Sequence, residues 1–227
     1  MERIFVFFRI SCKQTVFASL RQTVWLIPLA CILFVSATAN AQRAAREPVT
    51  SLLEYRQRNM VVQKWDLSCG AAALATLLRY QHGMQVTERE VAASLINRPE
   101  YIENPELLRL KQGFSLLDLK RYVTRAGLVG DGFGGLELNN LLEMAPVLIP
   151  VRLHGYNHFV VFRGMASSRV LLADPAWGNR ILMVDDFMDA WMEFPDLGRV
   201  GFTVTDSARS TAGNLLEPHT LDFVMLR

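Results

Sequence analysis

The chain has 227 residues, 51% hydrophobic and 20% charged, enough for one ordinary globular domain with a further segment attached. Its 24 basic residues exceed its 22 acidic ones, but four of the basic residues and one acid lie in the first 41 positions, leaving 20 against 21 in the rest. That balance gives no support to a nucleic-acid partner, which would need a retained basic patch, and three cysteines are too few for a disulfide scaffold.

The front of the chain reads as a targeting segment. Arg3, Arg9, Lys13 and Arg21 stand against the single acid Glu2, followed by the apolar run Val24–Val35 and the small-residue stretch Ser36-Ala37-Thr38-Ala39-Asn40-Ala41. This order predicts a secretory signal over residues 1–41, cut after Ala41. The apolar run falls short of the roughly 20 residues of a permanent span. The expected location is the periplasm; the alternative is an uncleaved segment anchoring the protein in the inner membrane, the one circumstance in which a membrane becomes a partner. Cleavage removes Cys12 and Cys31 and leaves Cys69 as the one thiol. The mature chain then has no structural disulfide, and a metal site would depend on few histidines with no second thiol. A lone thiol in an oxidising compartment is either buried and inert or kept for its reactivity.

Residues 42–60 are polar and read as a leading arm, and a packed domain is expected over residues 61–205. Cys69–Tyr80 is helix-forming once past Gly70, with His82-Gly83 as its stop. Thr87-Glu88-Arg89-Glu90 has the capping-box pattern and opens a second helix through Ile96. A third starts at Ser115-Leu116-Leu117-Asp118 and ends near Ala126-Gly127, after a long connection over Arg98–Gln112, and a fourth covers Leu136–Met144. The glycine-dense stretch Gly130–Gly135 lacks the setting and the basic residue of a phosphate loop and reads as a flexible connection. After Pro146, strands are predicted at Val147–Leu153, His158–Arg163, Val170–Ala173, Arg180–Val184 and Gly201–Val204, with a short helix over Asp185–Glu193 and a tail over 206–227. Helices first and closely connected strands second predict an α+β fold with an antiparallel sheet.

Cys69 stands at the start of a predicted helix, where free N–H groups and the positive dipole end favour thiolate over thiol. Gln63, six residues upstream, is placed to aim its amide at an oxyanion beside the backbone N–H of Cys69. Gly70 is expected to let a substrate backbone approach. A thiolate nucleophile needs a base within reach. His82 follows the helix behind Cys69 and is about 20 Å away at the helical rise. His219 lies in a polar terminal stretch, and His154 precedes a turn. His158 begins a strand after Gly155-Tyr156-Asn157 and is the favoured base. Asp174 ends the strand Leu171-Leu172-Ala173 ahead of Pro175, so hairpin pairing of the two strands would set it beside His158, where it could orient the imidazole. Taken singly, each residue has a plain structural reading: a buried small side chain, a surface histidine, an Asp-Pro turn. Their joint order sets them apart.

The segment Asp66-Leu67-Ser68-Cys69-Gly70-Ala71-Ala72-Ala73, the strand His158-Phe159-Val160-Val161 and the turn Ala173-Asp174-Pro175-Ala176-Trp177-Gly178 resemble the bacteriocin-processing peptidase family. The similarity extends over residues 60–194. It implies a papain-like cysteine peptidase fold and cleavage of double-glycine leader peptides during export. Carried over by position, Cys69 looks like the nucleophile, His158 the general base, Asp174 the orienting acid and Gln63 the oxyanion donor; Gly70, Asn157 and Trp177 are expected beside the substrate. No metal or organic cofactor is implied. Many members are parts of export transporters, whereas this chain has no ATPase motif and looks like a free-standing exported relative, similar to the peptidases of functional amyloid secretion systems. The expected partners are a peptide or unfolded protein substrate and export or fibre-assembly proteins. Two alternatives stand beside hydrolysis: acyl transfer to an amine by the same thiolate chemistry, and a non-catalytic docking module.

Overall fold

A computed structural model describes residues 50–110, 113–206 and 213–226. The signal read in residues 1–41 and the start of the leading arm lie outside the described residues. Helix α1 covers Leu52–Arg56, α2 Cys69–Tyr80, α3 Glu88–Ile96, α4 Pro99–Glu103, α5 Glu106–Leu110 and α6 Leu116–Arg125. Strand β1 (Val129–Phe133) and helix α7 (Leu138–Met144) lead into β2 (Val147–Leu153), β3 (Tyr156–Ala166), β4 (Arg169–Asp174) and β5 (Gly178–Met183). Helix α8 (Val184–Ala190), the ribbon β6 (Glu193–Phe194) with β7 (Gly198–Arg199), β8 (Gly201–Thr205) and α9 (Asp222–Met225) complete the order. The six-stranded sheet runs β1-β8-β2-β3-β4-β5 and is antiparallel throughout. The fold is α+β, as expected.

Local chemistry sets the helix starts. Thr87 caps α3 and Ser115 caps α6, each with a reciprocal acid, Glu90 and Asp118, closing the capping box. Alternation along the strands then splits the core. Leu148, Val161, Ala173 and Phe202 face α2, α3 and α6, where Leu74, Leu77, Leu78, Leu95 and Leu119 are fully buried. Ile149, Val160, Phe162 and Leu172 face the other way, onto Leu141 of α7 and Phe187 of α8. Each such leucine or phenylalanine contributes about 1.5–3 kcal/mol through burial, so the sheet is held between two apolar layers.

Three expectations are corrected. The glycine-dense stretch is no loose connection: its first part is β1, paired with β8 from Val129 opposite Thr205 to Phe133 opposite Gly201. Glycine is needed there because a Cβ on Gly130 would lie 2.6 Å from Cζ of Phe202, and one on Gly134 would lie 2.8 Å from the carbonyl oxygen of Leu197 in the ribbon turn. The connection Arg98–Gln112 contains α4 and α5. The folded body is also wider than residues 61–205, for α1 and the segment 213–226 pack against the sheet, and the chain from Ser51 onward forms one compact unit. Asn179 of β5 donates to the carbonyls of Arg56 and Arg58 at 3.0 and 2.7 Å, and Tyr55 donates to Asp222 at 3.0 Å. Among the described residues no helix is long and apolar enough to cross a membrane.

Candidate active site

Cys69 is the first residue of α2, a 12-residue helix whose N-cap Ser68 makes no side-chain capping bond to the helix backbone. Its thiol is buried and hydrogen-bonds to the imidazole of His158. Antiparallel pairing of β3 with β4, with Val161 opposite Ala173, brings the start of one strand beside the end of the other. His158 Nε2 consequently lies 2.7 Å from Asp174 Oδ1 and is fixed as the N–H that donates to the carboxylate, which leaves Nδ1 for Cys69.

Burial works against a charge on His158, but the hydrogen bonds to Asp174 and Cys69 outweigh it and raise its pKa to about 9. Asp174 is fully buried, which pushes its pKa up. The His158 hydrogen bond, the backbone N–H of Ala176 at 2.9 Å and Arg180 outweigh that and hold it below the usual carboxylate range. Arg180 Nη1 sits 3.5 Å from Asp174 Oδ2, occupying the oxygen His158 does not use. Sequence reasoning did not single out Arg180 or the Ala176 N–H. Arg180 is six residues beyond Asp174 on the next strand, a separation that carries no periodic signal.

A hollow of about 550 Å³ opens on one side of Cys69, lined by Gln63, Leu153, His154, Tyr156, Asn157 and Trp177. On the other side a smaller one of about 280 Å³ is apolar, with Phe114, Leu116, Phe159, Met192 and Phe194 in its walls. Cys69, Asn157 and His158 belong to both, so the thiol sits at the junction of one continuous cleft. Gln63 is held by its own N–H, which donates to the carbonyl of Pro175 at 2.9 Å, and its buried Oε1 has no hydrogen-bond partner among the described residues. Gln63 lines the larger hollow together with Cys69; its unpartnered oxygen can only accept, so an oxyanion would have to be met by its Nε2 N–H groups. Trp177 is 66% exposed, its ring 5.9 Å from that of His154, and forms a rim of the larger hollow. Asn157 is exposed and accepts from Arg152 Nε at 3.1 Å.

Gly70 is buried, and a Cβ there would come 3.3 Å from Cδ2 of Phe159, so the missing side chain makes room for that ring against α2. Of the other histidines, His82 Nε2 is 3.0 Å from the carbonyl oxygen of Val204 and His219 is exposed, while His154 lines the larger hollow beside Trp177. A buried nucleophile–imidazole–carboxylate series with a side-chain amide lining the same hollow can perform acyl transfer through a thioester.

Comparison with known proteins agrees with this chemistry. Residues 57–194 match the peptidase C39 family. A probable functional amyloid protease, FapD, of Pseudomonas fluorescens is 37% identical over 172 residues, covering 76% of this chain and 71% of that protein. The protein of the same name from Pseudomonas aeruginosa is 36% identical over 144 residues, covering 63% and 61%. Among solved structures, a double-glycine-motif protease from an AMS/PCAT transporter, in complex with its leader peptide, superposes with a TM-score of 0.51 at 22% identity, covering 67% of this chain and 96% of its own. The peptidase domain of Streptococcus ComA gives 0.51 at 13% identity, covering 66% and 98%. These two share the fold, which is papain-like. With a family match across most of the described body and two protease relatives above one-third identity, the chain belongs to the peptidase C39 family of cysteine peptidases.

Proposed function

We propose that the chain is an exported cysteine endopeptidase that cuts a glycine-rich site in a secreted or fibre-forming protein, using Cys69, His158 and Asp174. The observation that carries this reading is the placement of His158, which touches Asp174 through Nε2 and Cys69 through its other side at the centre of a two-sided cleft. An extended peptide can lie from one hollow to the other with its scissile carbonyl over the sulfur. The Cys69 thiolate attacks that carbon while His158 holds the proton. The oxygen that becomes negative meets the backbone N–H of Cys69 and the Gln63 amide. When the tetrahedral intermediate collapses, the C–N bond breaks, His158 Nδ1 passes its proton to the leaving amine, and a thioester remains on Cys69. Water, deprotonated by His158, then adds to the thioester, and the acid leaves as the proton returns to the histidine–thiol pair.

Substrate and location rest on the relatives and on residues 1–41. The glycine-rich site follows from the double-glycine motif of the transporter protease, the fibre-forming substrate from the amyloid proteases, and the periplasm from the signal-like N-terminus. Exported proteins from cells carrying the wild-type chain or Cys69→Ala, compared by mass spectrometry, test all of these at once. The expected result is one protein that keeps an additional segment only in the variant cells, with its cut next to glycine. Unchanged processing in the variant overturns the catalytic reading in favour of docking, and products joined to an added amine in place of free acids would make the enzyme a transferase.

A further inference from the structure

Glu88 is a buried acid that the mechanism does not use. It is the first residue of α3, directly after the Thr87 cap, while the capping acid is Glu90. Its side chain turns inward to the loop that joins Gln63 to Cys69. The backbone N–H of Lys64 donates to both carboxyl oxygens of Glu88 at 3.0 Å. The hydroxyl of Ser68 lies 2.5 Å from Oε1, and it is also 2.6 Å from the carbonyl oxygen of Trp65. One carboxyl group therefore grips the residue after the oxyanion amide and the residue before the nucleophile. No cation among the described residues forms an ion pair with it.

The loop needs such a grip. Leu67 has φ of +67°, a left-handed conformation that a side-chain-bearing residue adopts only when its surroundings impose it. The neighbouring N–H groups are bound too: Val61 donates to Thr76 Oγ1 at 2.9 Å and Gln63 to Pro175. Glu88 supplies the remaining hold, on the side facing α3. We infer that Glu88 is a positioning residue that fixes the separation between the Gln63 amide and the Cys69 backbone N–H, and so assembles the oxyanion hole. An oxyanion donor displaced by about 1 Å loses a factor on the order of 10² in rate. This inference rests on the peptidase reading only for its kinetic consequence.

The test uses the full chain with Glu88→Ala, Glu88→Gln and Ser68→Ala, each alone and combined with Gln63→Ala. Hydrogen exchange across residues 62–69 reads the brace without any substrate. The Lys64 amide should exchange at least about 10-fold faster in Glu88→Ala and near the wild-type rate in Glu88→Gln, whose carbonyl still accepts the bond. Alkylation of Cys69 by iodoacetamide, which needs no oxyanion hole, should change by less than about threefold. With an internally quenched peptide containing Gly-Gly as probe, kcat should fall about 10²-fold in Glu88→Ala at little changed KM, and Glu88→Gln should recover most of it. In the Gln63→Ala background the same Glu88→Ala change should cost less than about threefold, because the donor it positions is gone. Equal losses in both backgrounds, or Lys64 exchange that ignores Glu88, overturn the inference. Should Glu88→Ala fail to fold, Ser68→Ala, which removes no helix cap, and Glu88→Gln carry the same comparisons. A wild-type chain that leaves the probe uncut tells against the peptide reading, while the exchange result still decides the brace.

Discussion

His158 holds a proton in a place where burial alone would strip it, because Asp174 and Cys69 both bond to the ring. Its folded pKa of about 9 stands above the ordinary 6.5. The stability it adds is therefore complete below about 6.5 and is lost as pH rises through 9. Asp174 has the opposite sign: held below its usual value, it stabilises the fold at neutral pH and stops doing so as acid titrates it. For catalysis, the proton on His158 is the one the leaving amine receives, so kcat/KM should fall on an alkaline limb near pH 9. In Asp174→Asn that limb should move down toward the ordinary histidine range, which a pH series of the rate would show; an unmoved limb would mean another group titrates there. Most of this site was legible in the sequence, since the Cys, His and Asp stand at ends of elements whose boundaries local chemistry marks. Glu88 and Arg180 were not. Glu88 sits inside a capping-box pattern that reads as solvent-facing, and only the turn of α3 against the loop reveals that it points inward.

Helix α2 coincides with its predicted span, and β2 does too, because an alanine-rich run after a glycine and a β-branched run after a proline leave little freedom. Strand β1 was missed for a related reason. Val129-Gly130-Asp131-Gly132-Phe133 has almost no strand propensity of its own and is a strand because β8 and α6 hold it. Its glycines answer to neighbours distant in sequence. Gly130→Ala should accordingly lower stability by about 1–3 kcal/mol in chemical denaturation, because Phe202 is fully buried and its ring end must move. Gly132→Ala serves as the control, since a Cβ there meets nothing within 4 Å, and it should change stability far less. Similar losses at both positions would mean that the contact with Phe202 is not the cause, since Gly→Ala by itself reduces unfolded-chain entropy and favours the fold. The same stretch then fixes the β6–β7 ribbon: the Gly135 N–H donates to the carbonyl of Leu197 at 2.7 Å, and the ribbon brings Phe194 into the cleft wall.

Both ends of the described body meet on a single buried cation. Arg163 of β3 donates to Asn179 Oδ1 at 2.8 Å and to the carbonyl of Leu216 at 2.9 Å, and its other nitrogen lies 3.6 Å from Asp222. Burial lowers its pKa, and the charge of Asp222 opposes that. Neither terminal segment was legible as part of the domain, since each is polar and short of apolar periodicity. They dock through hydrogen bonds to residues more than 50 positions away. Those bonds reach the catalytic turn. Asn179 follows Gly178, which closes the turn begun at Asp174, and a Cβ on Gly178 would lie 2.9 Å from the carbonyl oxygen of Arg56. Deleting residues 207–227 would remove Asp222 and the Leu216 carbonyl and leave the guanidinium of Arg163 without its counter-charge, with Asn179 Oδ1 still accepting from it. The expected cost is about 3–5 kcal/mol of stability, with a parallel fall in kcat as the turn loosens. Adding Arg163→Met to the deletion should restore part of the stability, because a methionine of similar length has no charge to leave unpaired. A truncated chain that Arg163→Met destabilises further would show that the tail acts by covering Leu171 and Ile181, and that the buried charge is incidental.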